Sequence, residues 1–505
     1  MQKITFLFFL LPSFLVAQSI DLRQIDQQTI TIEPGDTLQY HLDIQKDELA
    51  FMRFEQKGAD IVIHIKDPSG RMLMEFDGGT GANGPELVQI IPSKTGPYQV
   101  VVFPYEDQKK PGQFSFAIEK VVKKAPQLTG QIDQYVSYWA DQNLIPGFGI
   151  ALVTKDSILM QKAYGYADLE SKKPYTLETI QNIGSVSKTL IGLSLMKAVK
   201  DGKLQLDDPA GQYLPFEMKN PYFPNEAITI RQLANHTSSI QEMDTYEKTY
   251  ILKEPFPYKK GEISKGEYKE MQYYMKNKNR SMGDFLKALL DPSGDLYKKS
   301  NYRKEPPGTQ YSYSNCGATV AAYIIELLYE MPYSQFTKQY ILEPLDMNDT
   351  GWSYETIDAN KHSTLYFLNH KPIPKYSIIT YPDGGLLTNV KDLSKYLQAA
   401  MKGHADGQGL VPEQAYQEMM APSLSAIQQE RKSRNYGVFW EQRGPHIGHN
   451  GGDPGIVCFL RFNTETGIGK ILMVNMIPNT PLSNEMFGAV WGVLSEFGDV
   501  IGRRQ

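Results

Sequence analysis

Cysteine is almost missing: the 505 residues hold two, Cys316 and Cys458. A disulfide framework is therefore excluded as the basis of the fold, because stapled scaffolds need several pairs. Two buried thiols are expected, with a single bridge as the alternative. Positive charge is not in excess either, the formal net charge being -5. Without a clustered basic surface to neutralise phosphates, no nucleic-acid partner is expected. After the first residues no apolar run reaches the roughly 20 residues a membrane span needs. The eight histidines are scattered, with no His-Glu-x-x-His spacing, so no metal or other cofactor is expected. Internal repeats and low-complexity tracts are also lacking.

What is present begins with a positive start, Met1-Gln2-Lys3, an apolar run from Ile4 to Val16 and a small Ala17. That pattern predicts a secretory leader at 1–17 and an exported, periplasmic or secreted protein with no span after its removal, an uncleaved anchor being the alternative. The length exceeds one ordinary core, so two domains are expected. Residues 20–122 alternate in short segments such as Ile61-Val62-Ile63-His64-Ile65, with turns at Pro34-Gly35-Asp36 and Asp67-Pro68-Ser69-Gly70, and predict a β-sandwich. Glu33-Pro34-Gly35-Asp36, Asp67-Pro68-Ser69-Gly70 and Gly96-Pro97-Tyr98 resemble the bacterial pre-peptidase C-terminal domain, a small accessory sandwich of secreted hydrolases. A linker at Lys123 to Pro126 leads to a second domain, 126–505. It is expected to open with a helix from Ile132 to Asn143 and to form one sheet from strands near both its ends, at 148–154, 158–166, 456–462 and 470–476, with helices between. Between Ser239 and Pro306 a Tyr- and Lys-rich stretch reads either as a lid or binding loop, or as a solvated helical excursion.

Ser185-Val186-Ser187-Lys188 can pair a hydroxyl nucleophile with an amine base. Residues three apart share a helical face, and Gly184 permits a tight entry that leaves the hydroxyl open. Ser194 and Lys197 repeat the spacing. Nine residues along an α-helix place Ser194 on the opposite face from Ser185, among apolar neighbours, so Ser185 is the candidate and Ser194 is packing. Tyr313-Ser314-Asn315 offers a phenol whose proton becomes available beside cations, though among 31 tyrosines a core role is the plain alternative. Gly448-His449-Asn450-Gly451-Gly452-Asp453-Pro454-Gly455 allows close backbone approach, with N–H groups aimed at a developing oxyanion, or is a simple glycine hairpin.

These three segments, in this order, resemble the penicillin-recognising serine hydrolases: class C β-lactamases, D-alanyl-D-alanine carboxypeptidases and the esterases of that fold. Ile145-Pro146-Gly147, Leu206-Asp207-Asp208-Pro209, Ile228 to Leu233 running into His236-Thr237-Ser238, Pro344-Leu345-Asp346-Met347 and Gly384-Gly385-Leu386 extend the likeness. The resemblance implies a β-lactamase-like transpeptidase fold of mixed α and β structure, with an antiparallel sheet flanked by helices and a helical subdomain. It implies Ser185 as nucleophile, Lys188 and Tyr313 as the proton-transfer pair, and an oxyanion hole from the N–H groups of Ser185 and Gly452. Asn315, His449, Asn450 and Gly451 would contact the substrate, the last three on an edge strand. His449 stands where most class C enzymes carry lysine, which weakens carboxylate recognition at that position. The expected substrate is a peptide-like amide or an ester, turned over as by a D-amino peptidase or carboxypeptidase. An esterase or weak β-lactamase is the alternative, and a non-catalytic sensor that binds peptidoglycan the second. Cell-wall association is a possible setting. Ser239 and Asp346 replace the glycines usual in that family.

Overall fold

Alternation of side chains governs the first hundred residues. In the strand Leu38–Ile44, Tyr40, Leu42 and Ile44 are buried while the intervening residues face outward, as a half-covered sheet requires. The computed structural model describes residues 20–241, 245–426, 428–429 and 434–503, so the expected leader at 1–17 lies outside the described residues. The chain divides into two units after Gln134.

In the first unit a five-stranded sheet runs in the order Ile20–Asp21, Leu38–Ile44, Gly96–Pro104, Ile61–Lys66, Met72–Phe76. A four-stranded sheet runs Thr29–Ile32, Gly112–Lys123, Glu48–Lys57, Asn83–Ile90. Leu42, Ile63, Val100 and Tyr98 of the first and Met52, Phe54, Val88 and Phe116 of the second share one core, so the region is all-β, as the alternation predicts. The Asp67 to Gly70 turn closes with Gly70 N donating to Asp67 O at 2.8 Å and Gly70 at φ +83°. The following helix is Leu128–Asp141, starting and ending earlier than the periodicity suggests.

In the second unit an eight-stranded antiparallel sheet runs in the order Lys173–Pro174, Ile158–Asp168, Gly147–Val153, Ile468–Val474, Ile456–Asn463, His446–Asp453, Glu441–Arg443, Asn435–Tyr436. The two ends of the domain meet where Phe148 pairs with Val474 and Val153 with Gly469. All seven residues of Gly147–Val153 are buried, because helices cover both faces. Gly469 points at Met401 and Leu397 of the helix Val390–Asp406, while its neighbour Ile468 meets Gly498 of the helix Pro481–Gly502. Successive residues of a strand point to opposite faces.

The Tyr- and Lys-rich stretch forms the helices Lys265–Tyr274 and Met282–Leu290, each capped by a serine, Ser264 or Ser281. Met271, Tyr274, Phe285, Leu286 and Leu289 join the main core of the domain. These residues build the segment into the fold, in contrast to a solvated excursion. Tyr274 enters the core because its hydroxyl donates to Glu270 at 2.6 Å and Glu247 at 3.0 Å, which satisfies its one polar atom.

Candidate active site

The spacing of Ser185 and Lys188 predicts an α-helix beginning near the serine. The structure instead has a 3-10 turn over Gly184–Ser187, and the α-helix starts at Lys188 and runs to Lys200. The difference favours the pairing, because residues three apart in a 3-10 turn eclipse one another. Lys188 Nζ lies 3.0 Å from Ser185 Oγ. Gly184 enters the turn at φ +52°, a conformation open to glycine at little cost. Lys188 is fully buried, whereas Ser185 is part-exposed and lines a cleft of about 420 Å³. Ser194, by contrast, is buried and donates to Leu190 O at 2.7 Å.

The Lys188 amine makes two further bonds, to Asn315 Oδ1 at 2.5 Å and to the carbonyl of Asp383 at 2.6 Å. It also sits 5.1 Å from the centre of the Tyr313 ring. Tyr313 lies just before the helix Asn315–Tyr329, whose cap is Ser314, accepting from Gly317 N. The loop is pinned from behind by His236. Ser314 N donates to His236 Nδ1 at 3.2 Å, and the two rings of His236 and Tyr313 are 4.4 Å apart. Burial first, then the Lys188 charge, holds the His236 imidazole well below its usual range. Asn315, expected to face substrate, presents its oxygen to Lys188.

The strand His446–Asp453 completes the cleft. It is an edge only in part: Glu441–Arg443 pairs with His446 to Gly448 and stops there, leaving His449 to Asp453 beyond its reach. The Ser185 turn packs against the face of that stretch, where the Cβ positions of its glycines point. A Cβ at Gly184 would stand 2.7 Å from Gly452 N, and one at Gly451 would overlap the Ile183 carbonyl and stand 3.0 Å from Ser185 N. Only glycines let the two backbones approach this closely, which seats the Ser185 turn directly against Gly451 and Gly452. His449 and Asn450 line the cleft. His449 is 3% exposed, its Nδ1 is 2.6 Å from the Asn450 carbonyl, and burial, with Lys188 adding to it, pushes its pKa down to about 3. It is a neutral ring at neutral pH.

A family model described as β-lactamase matches residues 127–493, well over half of the chain. The chain belongs to the β-lactamase family. Protein flp of Staphylococcus aureus strain MW2 is 23% identical over 390 residues, covering 73% of this chain and 70% of that protein. The mouse mitochondrial serine β-lactamase-like protein LACTB is 28% identical over 310 residues, covering 52% of this chain and 55% of that one. Among solved structures, the octameric penicillin-binding protein homologue of Pyrococcus abyssi superposes with a TM-score of 0.57 at 22% identity, over 72% of this chain and 77% of that one. The D-alanine carboxypeptidase AmpC of Burkholderia cenocepacia gives 0.51 at 18% identity, over 72% and 98%. The β-lactamase-like fold, mixed α and β with an antiparallel sheet, is as expected.

Around the cleft of this β-lactamase-family chain stand charged residues that no motif points to: Arg303, Arg434 and Glu441. Glu441 is buried and meets Arg434 at 2.5 Å, Arg443 at 2.8 Å and Arg461. Burial alone would raise its carboxyl, but Arg461 and Arg434 hold it at about 2. Arg461 also donates to Asn450 Oδ1 at 3.1 Å, fixing that side chain. Three guanidinium groups share that one carboxylate, and of them Arg434 lines the cleft with Ser185. Cys316 and Cys458 are both free and buried. Among the described residues no group of three or more His, Cys, Asp or Glu is placed to hold a metal ion, and no helix is long and apolar enough to cross a membrane.

Proposed function

We propose that this protein is an exported serine hydrolase that cleaves peptide-like amides through an acyl-enzyme on Ser185. The observation that carries the reading is the 3.0 Å contact of a buried amine, Lys188, with the one cleft-facing serine hydroxyl of its turn, beside the Tyr313 ring. In the first step the Ser185 oxygen bonds to the substrate carbonyl carbon as its proton passes to the Lys188 and Tyr313 pair. The carbonyl oxygen, now negative, is met by the amides of Ser185 and Gly452, each donor contributing about 3–4 kcal/mol in comparable enzymes. The same proton then passes to the leaving nitrogen as the carbon–nitrogen bond breaks, and water releases the acyl group by the reverse sequence.

The positive charge at Arg434 and Arg303 supports a substrate with a carboxylate near the scissile bond, as in a carboxypeptidase or D-amino peptidase. Neutral His449 adds no charge for it. A fluorescent penicillin or fluorophosphonate should label the wild-type chain, with the adduct located on Ser185 by mass spectrometry and lost in Ser185→Ala; labelling that persists in that variant refutes the reading. Lys188→Ala and Tyr313→Phe should each slow acylation by roughly 10²–10⁴-fold, and a near-normal rate removes that residue from the step. Arg434→Ala should raise KM for peptides bearing a carboxylate and leave neutral esters unaffected. Equal effects on both would favour an esterase over a peptidase.

A further inference from the structure

Two buried carboxyls flank the site, and neither belongs to the chemistry described above. Asp383, 1% exposed, is the residue whose carbonyl accepts from Lys188 at 2.6 Å. Its carboxyl accepts from Tyr246 at 2.9 Å and from Thr319 at 2.8 Å. Asp453, 9% exposed, ends the strand that carries Gly451 and Gly452, and accepts from Tyr250 at 2.6 Å. Asp453 comes up to the segment whose carbonyl holds Lys188: a Cβ on Gly384, the residue after Asp383, would stand 3.3 Å from Asp453 Oδ2.

Both tyrosines come from one short piece of the inserted segment. Tyr246 lies in the 3-10 turn Tyr246–Thr249 and Tyr250 begins the strand Tyr250–Leu252. That strand pairs with Tyr376–Ile378, and the Tyr250 ring stacks on Tyr274 at 4.5 Å. The segment is therefore held by the core of the domain, and its hydroxyls arrive at the carboxyls already ordered.

We propose that Asp453 is a positioning residue for Lys188, and that Tyr250 of the inserted segment governs it by hydrogen-bonding its carboxyl. The proposal goes beyond the acyl-transfer reading by assigning regulation of its base. The titratable groups whose charges act on Asp453 are Tyr250, which bonds to it, and Tyr376, Asp383, Lys188 and Glu270, and Lys188 is the one cation among them. Burial, with the Asp383 charge added, pushes the Asp453 carboxyl to about 7 against the opposing pull of Tyr250 and Lys188. When Asp453 is ionised its charge stabilises the ammonium form of Lys188; when it is protonated the amine gives up its proton more readily. The carboxyl thus changes state in the pH range where the lysine must work, and the tyrosine sets where in that range the change falls.

The test reads Lys188 directly, by the 13Cε signal of labelled lysine, assigned by its loss in Lys188→Ala. In the wild-type protein that signal should shift through a step near the pH at which Asp453 titrates, about 7. In Asp453→Asn the step should vanish and the lysine should lose its own proton at lower pH. In Tyr250→Phe it should move up by about one pH unit, the size of one hydrogen bond to a charged group. The pH profile of Ser185 acylation should change in the same way in both variants. A wild-type signal that is flat through the range, or one identical in wild type and variants, overturns the proposal. Since the resonance is read without substrate, a protein whose Ser185 takes no label would refute the acyl-transfer reading and leave this result standing on its own. If both variants fold poorly, the wild-type titration alone decides.

Discussion

The approach of the Ser185 turn to the Gly451–Gly452 backbone makes Gly451→Ala the sharpest perturbation of the site. The added Cβ would overlap the Ile183 carbonyl and stand 3.0 Å from Ser185 N. Neither neighbour is a flexible side chain, so the turn and the strand must part by on the order of 1 Å, a displacement that costs about 10²-fold when it falls on reacting groups. On the proposed acyl-transfer reading it draws the amides of Ser185 and Gly452 apart, and removing one such donor costs about 3 kcal/mol of transition-state stabilisation. Acylation should therefore fall by at least about 10²-fold, against a folding cost of only about 1–3 kcal/mol for the overpacked backbone. Time-resolved labelling with a fluorescent penicillin, on protein whose melting shows it to be folded, measures the first; the melting transition measures the second. Gly184→Ala, with its Cβ 2.7 Å from Gly452 N and φ at +52°, should behave alike. A folded Gly451→Ala that acylates within about threefold of wild type would show that the amides do not act together, and would refute the reasoning.

Glu441→Gln leaves buried Arg461 without its carboxylate and should destabilise the domain by about 3–5 kcal/mol, seen as a fall in the denaturant midpoint; a shift under about 1 kcal/mol would place the Arg461 charge in water instead. His449, whose pKa falls to about 3 in the folded chain, binds fewer protons folded than unfolded below about 6.5, so it destabilises the fold by about 1.4 kcal/mol for each pH unit below that value. Asp453 acts with the opposite sign over part of the same range, so the measurement is the difference between wild type and His449→Gln in urea unfolding from neutral pH downward, which should narrow as pH rises to about 7. Asp346 is held at φ +51°, and Asp346→Gly should raise stability by about 0.5–1 kcal/mol by removing the left-handed strain; an unchanged melting temperature would show the aspartate to be at ease there.

What could be read from the chain and what could not divide along one physical line. Ser185 and Lys188 were legible because a single turn brings them together, and spacing specifies that contact whether the turn is α or 3-10; spacing could not say which, since residues three apart meet in both. The sandwich strands were legible because alternation records a half-buried face. Gly451 and Gly452 could be read as a close backbone approach, but the partner surface, the Ile183 to Ser185 turn, lies some 270 residues upstream. The Tyr-rich segment could be read either as a lid or binding loop or as a solvated excursion, because its length and composition do not record which of its tyrosines enter the core. Tyr246, Tyr250 and Tyr274 are buried, the first two meeting the distant carboxyls of Asp383 and Asp453 and the third meeting Glu247 and Glu270 of its own segment. Arg434, Glu441 and Arg461 form their cluster through strand register, and Asp453 meets Tyr250 only when the strand end and the insertion close on the same space. Ser239 and Asp346 mark the boundary between the two cases. A missing glycine is visible in a sequence, yet the left-handed backbone it would have eased, φ +63° and +51°, is fixed by the surrounding fold, and so a residue that reads as a departure from the family's turns keeps the turn and bears its strain.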